Sequence, residues 1–194
     1  MNQQDRAVTP VVSTILMVAI VVILAATVSM FFFNVVENIN EPGPNVADTT
    51  GEFAVTPPGE NAGSKQIVRI THIAGEGVAV EELEIVVRAS GPDDDLPIEG
   101  RLVNLPADGS KFDDENFDTE DADNLIDRGG NSKNNVIISD GIDVWSAGQT
   151  ITFRINTGAA DFREDPNGPE ANELEVVIVH TPSGTIISQN TFTP

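Results

Sequence analysis

Residues 7–36 form a thirty-residue run without one charged side chain, and nothing later in the chain repeats that pattern. A bilayer core is about 30 Å thick and needs ~20 apolar residues as helix. Residues 11–33 supply 23, interrupted only by Ser13, Thr14, Thr27 and Ser29. No Gly or Pro lies between Pro10 and Pro42, so the pattern predicts one unbroken helix. Thr9 is the expected N-cap and Pro10 the first helical residue, where its missing N–H costs nothing. The helix is expected to end between Asn38 and Glu41, ahead of Pro42, Gly43 and Pro44. A helix apolar all round belongs in lipid or among other helices.

Beyond residue 58 the period changes from helical to two. Ile151, Phe153 and Ile155 alternate with Thr152 and Arg154, and Leu83, Ile85 and Val87 alternate with Glu82, Glu84 and Arg88. Residues 174–179 are nearly continuous apolar and read as a central strand. Thr181-Pro182-Ser183-Gly184 then forms a turn, with Pro second and Gly fourth, into residues 185–192. Runs near 52–57, 66–73, 98–104 and 134–139 bring the expected count to about eight strands, with no second amphipathic helix. The fold class is therefore α+β: a long N-terminal helix followed by an all-β, immunoglobulin-like sandwich. The expected organisation is a leader at 1–6, the helix at 7–40, a linker with the first strand at 41–58, and the head at 59–194.

Three readings of the N-terminus compete. A secretory signal peptide has a basic n-region, a short apolar stretch and a small-x-small cleavage site. Here Arg6 is offset by Asp5, the apolar stretch is too long, and Ala25-Ala26-Thr27 is a poor site. A plain anchor fits the length better, with Arg6 on the inner side. In the third reading the polar leader is removed and the apolar helix stays.

The segment Asp5-Arg6-Ala7-Val8-Thr9-Pro10-Val11-Val12, followed by the apolar run from Ile15 to Ala26, closely resembles the N-terminus of haloarchaeal type IV pilins. A basic residue, a small residue, a Thr-Pro-Val stretch and an unbroken apolar run occur in register over about 30 of the 194 residues. A weaker likeness covers residues 176–184 near the C-terminus. The resemblance implies cleavage between Arg6 and Ala7 by a prepilin peptidase, with the helix retained. It implies a membrane-held precursor, an assembly platform with its ATPase, and a homopolymeric surface filament exposing the head for attachment. Helices in such a core approach closely at small residues, here Ala19, Ala25, Ala26 and Ser29. In one respect the chain departs from bacterial pilins: the fifth position counted from Ala7 is Val11, not Glu. A buried α-ammonium would need other partners, such as backbone carbonyls or the hydroxyls of Thr9 and Ser13. The alternative reading is a single-pass anchored binding protein that does not polymerise.

Charge narrows the partners. Thirty-one Asp and Glu against ten Lys and Arg give a formal charge of −21, which disfavours nucleic acid and anionic surfaces. Such a coat suits concentrated salt, where repulsion is screened within ~3 Å at 1 M. With no cysteine, no disulfide contributes. Residues 113–127 pack eight carboxylates into fifteen positions, and Asp113, Asp114, Asp118, Asp121 and Asp123 are candidates for a weak cation-binding loop. Their spacing is not that of an EF-hand, so a mobile solvated loop is the simpler expectation. His72 and His180 are the only histidines, both in strand contexts. No nucleophile elbow or phosphate loop occurs, and no cofactor or enzymatic activity is expected.

Overall fold

The computed structural model describes residues 3–37, 43–55, 66–108, 111–118, 124–128, 136–138 and 143–194. The chain forms two compact units, Met1–Glu41 and Pro42–Pro194.

The first unit contains one α-helix, α1, Gln3–Glu37. Thirty-five residues at 1.5 Å each make a rod of about 50 Å. Its start corrects the expected cap at Thr9 and Pro10, which lie inside the helix. None of Gln3, Gln4, Asp5 and Arg6 is a helix breaker, so helical geometry propagates back through them. Proline stops a helix by removing one hydrogen bond and crowding one carbonyl, a cost of ~3 kcal/mol that a long apolar helix absorbs. The helix is continuous as far as Glu37, and its expected end between Asn38 and Glu41 lies outside the described residues.

Among the described residues the second unit has nine strands: β1 Val46–Val55, β2 Gln66–Gly75, β3 Val78–Ala79, β4 Leu83–Ser90, β5 Ile98–Leu102, β6 Val144–Trp145, β7 Thr150–Ile155, β8 Glu173–His180 and β9 Thr185–Phe192. They pair antiparallel in three groups: β1-β2-β7, β5-β4-β8-β9 and the short β3-β6. The two larger sheets share one hydrophobic core. Counting only the seven longer strands, the orders are 1-2-5 and 4-3-6-7, an immunoglobulin-like arrangement. The fourth strand stays beside the third instead of crossing to the fifth.

The alternation expected from the sequence is what fills the core. Leu83, Ile85 and Val87 from β4, Ile151, Phe153 and Ile155 from β7, and Leu174, Val176 and Ile178 from β8 all point inward and are buried. Burial of each such side chain contributes about 1.5–3 kcal/mol. β8 is central, flanked by β4 and β9, as its apolar run implies. The β8–β9 turn holds Gly184 at φ 65°, a conformation that glycine adopts without a Cβ penalty. Trp145 is fully buried, donates its indole N–H to the Gln149 carbonyl at 3.2 Å and stacks on His72 with ring centroids 5.0 Å apart.

Two expectations change. β1 begins at Val46, well inside the segment assigned mostly to a linker, because residues 46–55 pair with β2 despite Asp48, Gly51 and Glu52. The described part of the run near 134–139, Val136, Ile137 and Ile138, is buried but is not a strand. It makes a turn and a single parallel bridge from Ile138 to Ala107. Three apolar residues satisfy the core there without the length that a ladder needs.

Candidate functional site: the apolar helix and the acidic head

From Val12 to Ser29 every helical side chain is exposed, and the segment is long and apolar enough to cross a membrane. Its hydroxyls do not spoil that surface: Thr27 donates to the Leu24 carbonyl at 2.9 Å, within the helix itself. At ~100° per residue, Ala19, Ala25, Ala26 and Ser29 fall within about 120° of one another, on one side of the rod.

Arg6 and Ala7 lie in the second turn of α1 as it stands in the full chain. Pro10 is four residues beyond Arg6 and carries no N–H. In α-helical geometry residue 10 would donate to the carbonyl of residue 6, so the Arg6 carbonyl has no helical partner. That carbonyl belongs to the Arg6–Ala7 peptide bond.

The acidic excursion between β5 and β6 is anchored, not free, where it is described. Phe112, Asn116, Leu125 and Ile126 are buried, and Leu102 bridges to Phe117. Asp113 and Asn116 form a reciprocal capping box around a short 3₁₀ turn. Asn116 also donates to the carbonyl of Asn104 at 2.9 Å, and Asn104 adopts φ 51°. Asp114 pairs with Arg128 at 2.5 Å, and Arg128 lies 5.1 Å from the Phe117 ring centre. Asp118 faces Arg101 at 3.9 Å. Asp121 and Asp123 lie outside the described residues. Among the described residues no three His, Asp or Glu side chains converge on a cation position. Asp113, Asp114 and Asp118 thus each have a separate engagement: a cap, an ion pair and a longer ion pair.

Several structural side chains were invisible to pattern reading. Gln66, fully buried at the start of β2, donates to the Ala160 carbonyl at 2.7 Å and accepts from the Phe162 N–H at 2.6 Å. Asp161, also fully buried, accepts from Arg163 Nε at 2.7 Å and from Arg163 Nη2. It accepts in addition the backbone N–H groups of Asn167 at 2.8 Å and Gly168 at 3.3 Å. Burial alone pushes the Asp161 carboxyl up. The Arg163 side-chain hydrogen bond and the backbone N–H groups of Asn167, Arg163 and Gly168 outweigh that and hold it below the usual carboxylate range. Together these two residues fold the β7–β8 loop.

At the other end of the sandwich, His180 Nδ1 meets the Ser183 hydroxyl at 2.7 Å and His180 Nε2 meets Glu82 at 3.3 Å. Thr181 donates its N–H to the Glu82 carbonyl at 2.8 Å. These contacts tie the β8–β9 turn to the segment before β4. A Cβ on Gly43 would run into the Thr185 hydroxyl, so the first described residues of the head lie against that turn.

Residues 6–47 match the family model described as the N-terminal region of archaeal type IV pilins. The match takes in Arg6, Ala7, Pro10 and the whole exposed apolar segment. No curated protein matches the chain.

Proposed function

We propose that this chain is the structural subunit of an archaeal type IV pilus. The observation that carries the reading is a coincidence in one segment. The residues similar to archaeal type IV pilins take in the helical segment Val12–Ser29, which is apolar on every side and exposed throughout. A helix of that kind needs lipid first and other helices later. The precursor waits in the membrane with its leader inside, a prepilin peptidase cuts between Arg6 and Ala7, and the platform and ATPase machinery draw the helix into a filament core. The acidic β head forms the outer surface, available for attachment.

Pro10 has two uses in this scheme. Before cleavage it leaves the Arg6 carbonyl, the one to be attacked, free of helical hydrogen bonding. After cleavage it is the fourth residue of the mature chain, among the N–H positions that a helix leaves unpaired anyway. The same proline thus removes one helical hydrogen bond from the precursor and none from the product.

Immunoblots of membranes and sheared filaments test the scheme. Arg6→Asp is expected to leave uncut precursor in the membrane and no surface filaments. Pro10→Ala restores the hydrogen bond to the Arg6 carbonyl, worth about 0.5–1.5 kcal/mol, and is expected to slow cutting several-fold. Fully cut filaments from Arg6→Asp would contradict the cleavage site, and unchanged cutting of Pro10→Ala would contradict the role of the proline.

A further inference from the structure

The two larger sheets end in four edge strands, β1 and β7 on one sheet and β5 and β9 on the other. The unpaired N–H and C=O groups along an edge strand are a template for pairing with another chain. β1 and β9 lie along each other, with the Thr49 and Ser188 hydroxyls 2.8 Å apart and the Phe53 and Phe192 ring centres 5.8 Å apart. β5 and β7 therefore flank the other side of the sandwich, and the acidic β5–β6 excursion has a foothold on each.

Residues 116–118 hold β5. Val103 donates its N–H to the Asn116 carbonyl at 2.9 Å, Asp118 donates to the Arg101 carbonyl at 3.3 Å, and Leu102 and Phe117 form an antiparallel bridge. Residues 125–127 hold β7 in the same way. Asp127 donates to the Arg154 carbonyl at 2.9 Å, Asn156 donates to the Leu125 carbonyl at 2.9 Å, and Ile126 bridges antiparallel to Ile155. Phe112 donates to the Arg128 carbonyl at 3.1 Å and so joins the two footholds. Residues 98–100 of β5 and 150–153 of β7 remain outside this cover, fewer on each strand than the ~5–6 of an ordinary one.

The side chains of the excursion divide by direction. Phe112, Leu125 and Ile126 are buried and Phe117 packs against the core, whereas Asp113, Asp114, Glu115 and Asp118 are exposed. The carboxylate-rich stretch therefore has a use other than cation binding. Acidic side chains pointing outward from a covered edge oppose the approach of a second negative chain.

We propose that the excursion is an edge guard: it withholds β5 and β7 from strand pairing with a second copy of the chain, so that copies join through α1 and not by extending their sheets. The inference rests on the filament reading above. A filament is where such a guard matters most, because it holds identical edges together at high local concentration. Identical strands stacked in register are what cross-β aggregation requires.

Hydrogen exchange read by mass spectrometry on the full chain tests the guard without altering it. In the membrane precursor, the amides of Val103, Asp118, Asp127 and Asn156 are expected to exchange as slowly as those between β4 and β8. Fast exchange of these four in the precursor would overturn the guard, since β5 and β7 would then be open before assembly. Substitution tests what the cover does. Asp118→Pro with Asp127→Pro removes two of the four hydrogen bonds and two carboxylates, whereas Asp118→Asn with Asp127→Asn removes the same carboxylates and keeps the bonds. By electron microscopy, the proline pair is expected to lose separate filaments to side-by-side bundles with raised thioflavin T fluorescence. The asparagine pair is expected to give separate filaments, as the wild type does. Separate filaments from the proline pair would overturn the guard, and so would equal bundling by the asparagine pair, which assigns the effect to charge alone. If the proline pair is lost from the membrane, the exchange result decides. Wild-type cells without filaments would overturn the pilus reading itself, while exchange in the precursor still decides whether the edges are covered.

Discussion

Ala26→Leu is expected to leave leader removal and membrane insertion intact while eliminating filaments. In lipid the added side chain meets only acyl tails, which are as apolar as leucine. In a filament core it meets a neighbouring helix at a position where close approach depends on a small residue. Overpacking of that kind costs ~1–3 kcal/mol at each affected site. The cost recurs at every subunit, so a clash that one protein would tolerate stops polymer growth. Ala19 and Ala25 lie on the same side of α1 and are expected to respond alike. Membrane fractionation with electron microscopy separates the two steps, and normal piliation with leucine at all three positions would remove close helix packing from the account.

The second large effect lies far from the helix. Asp161→Ala is expected to destabilise the head by about 3–5 kcal/mol, because it strands the buried Arg163 guanidinium and unpairs the backbone donors of the β7–β8 loop. That is a sizeable fraction of the ~5–15 kcal/mol by which a domain is stable. The same carboxylate predicts a pH dependence. Its folded value is below the unfolded one, so its stabilisation is complete above the ordinary carboxylate range and is lost as pH falls through the folded value. Urea melts across acidic pH check both effects. Asp161→Asn removes the titrating group and is expected to flatten the acid limb of the stability curve. An acid limb unchanged in that variant would assign the dependence to other carboxylates.

How much of this was legible in the sequence depends on what each feature rests on. Ile151, Phe153 and Ile155 announce their strand because sheet geometry forces alternation, and α1 announces itself because lipid excludes charge over its length. β1 was harder to read because Asp48, Gly51 and Glu52 look like linker residues; pairing to β2 supplies what local preference does not. The true start of α1 was misplaced because a proline reads as a beginning, whereas here helical geometry continues through it. Asp161, Gln66 and Asn116 could not be singled out at all. One buried aspartate looks like any other among sixteen when only burial distinguishes it. The residues proposed for assembly, Ala19, Ala25, Ala26 and Ser29, came from the pattern alone.

The central claim is that the chain is cut before its apolar helix and then polymerised through it. Mass spectrometry of the intact protein from sheared surface filaments tests both halves together. The account predicts recovery of this chain from filaments with Ala7 as its first residue. A chain still carrying Met1, or lacking Met1 alone, and found only in the membrane fraction would contradict it.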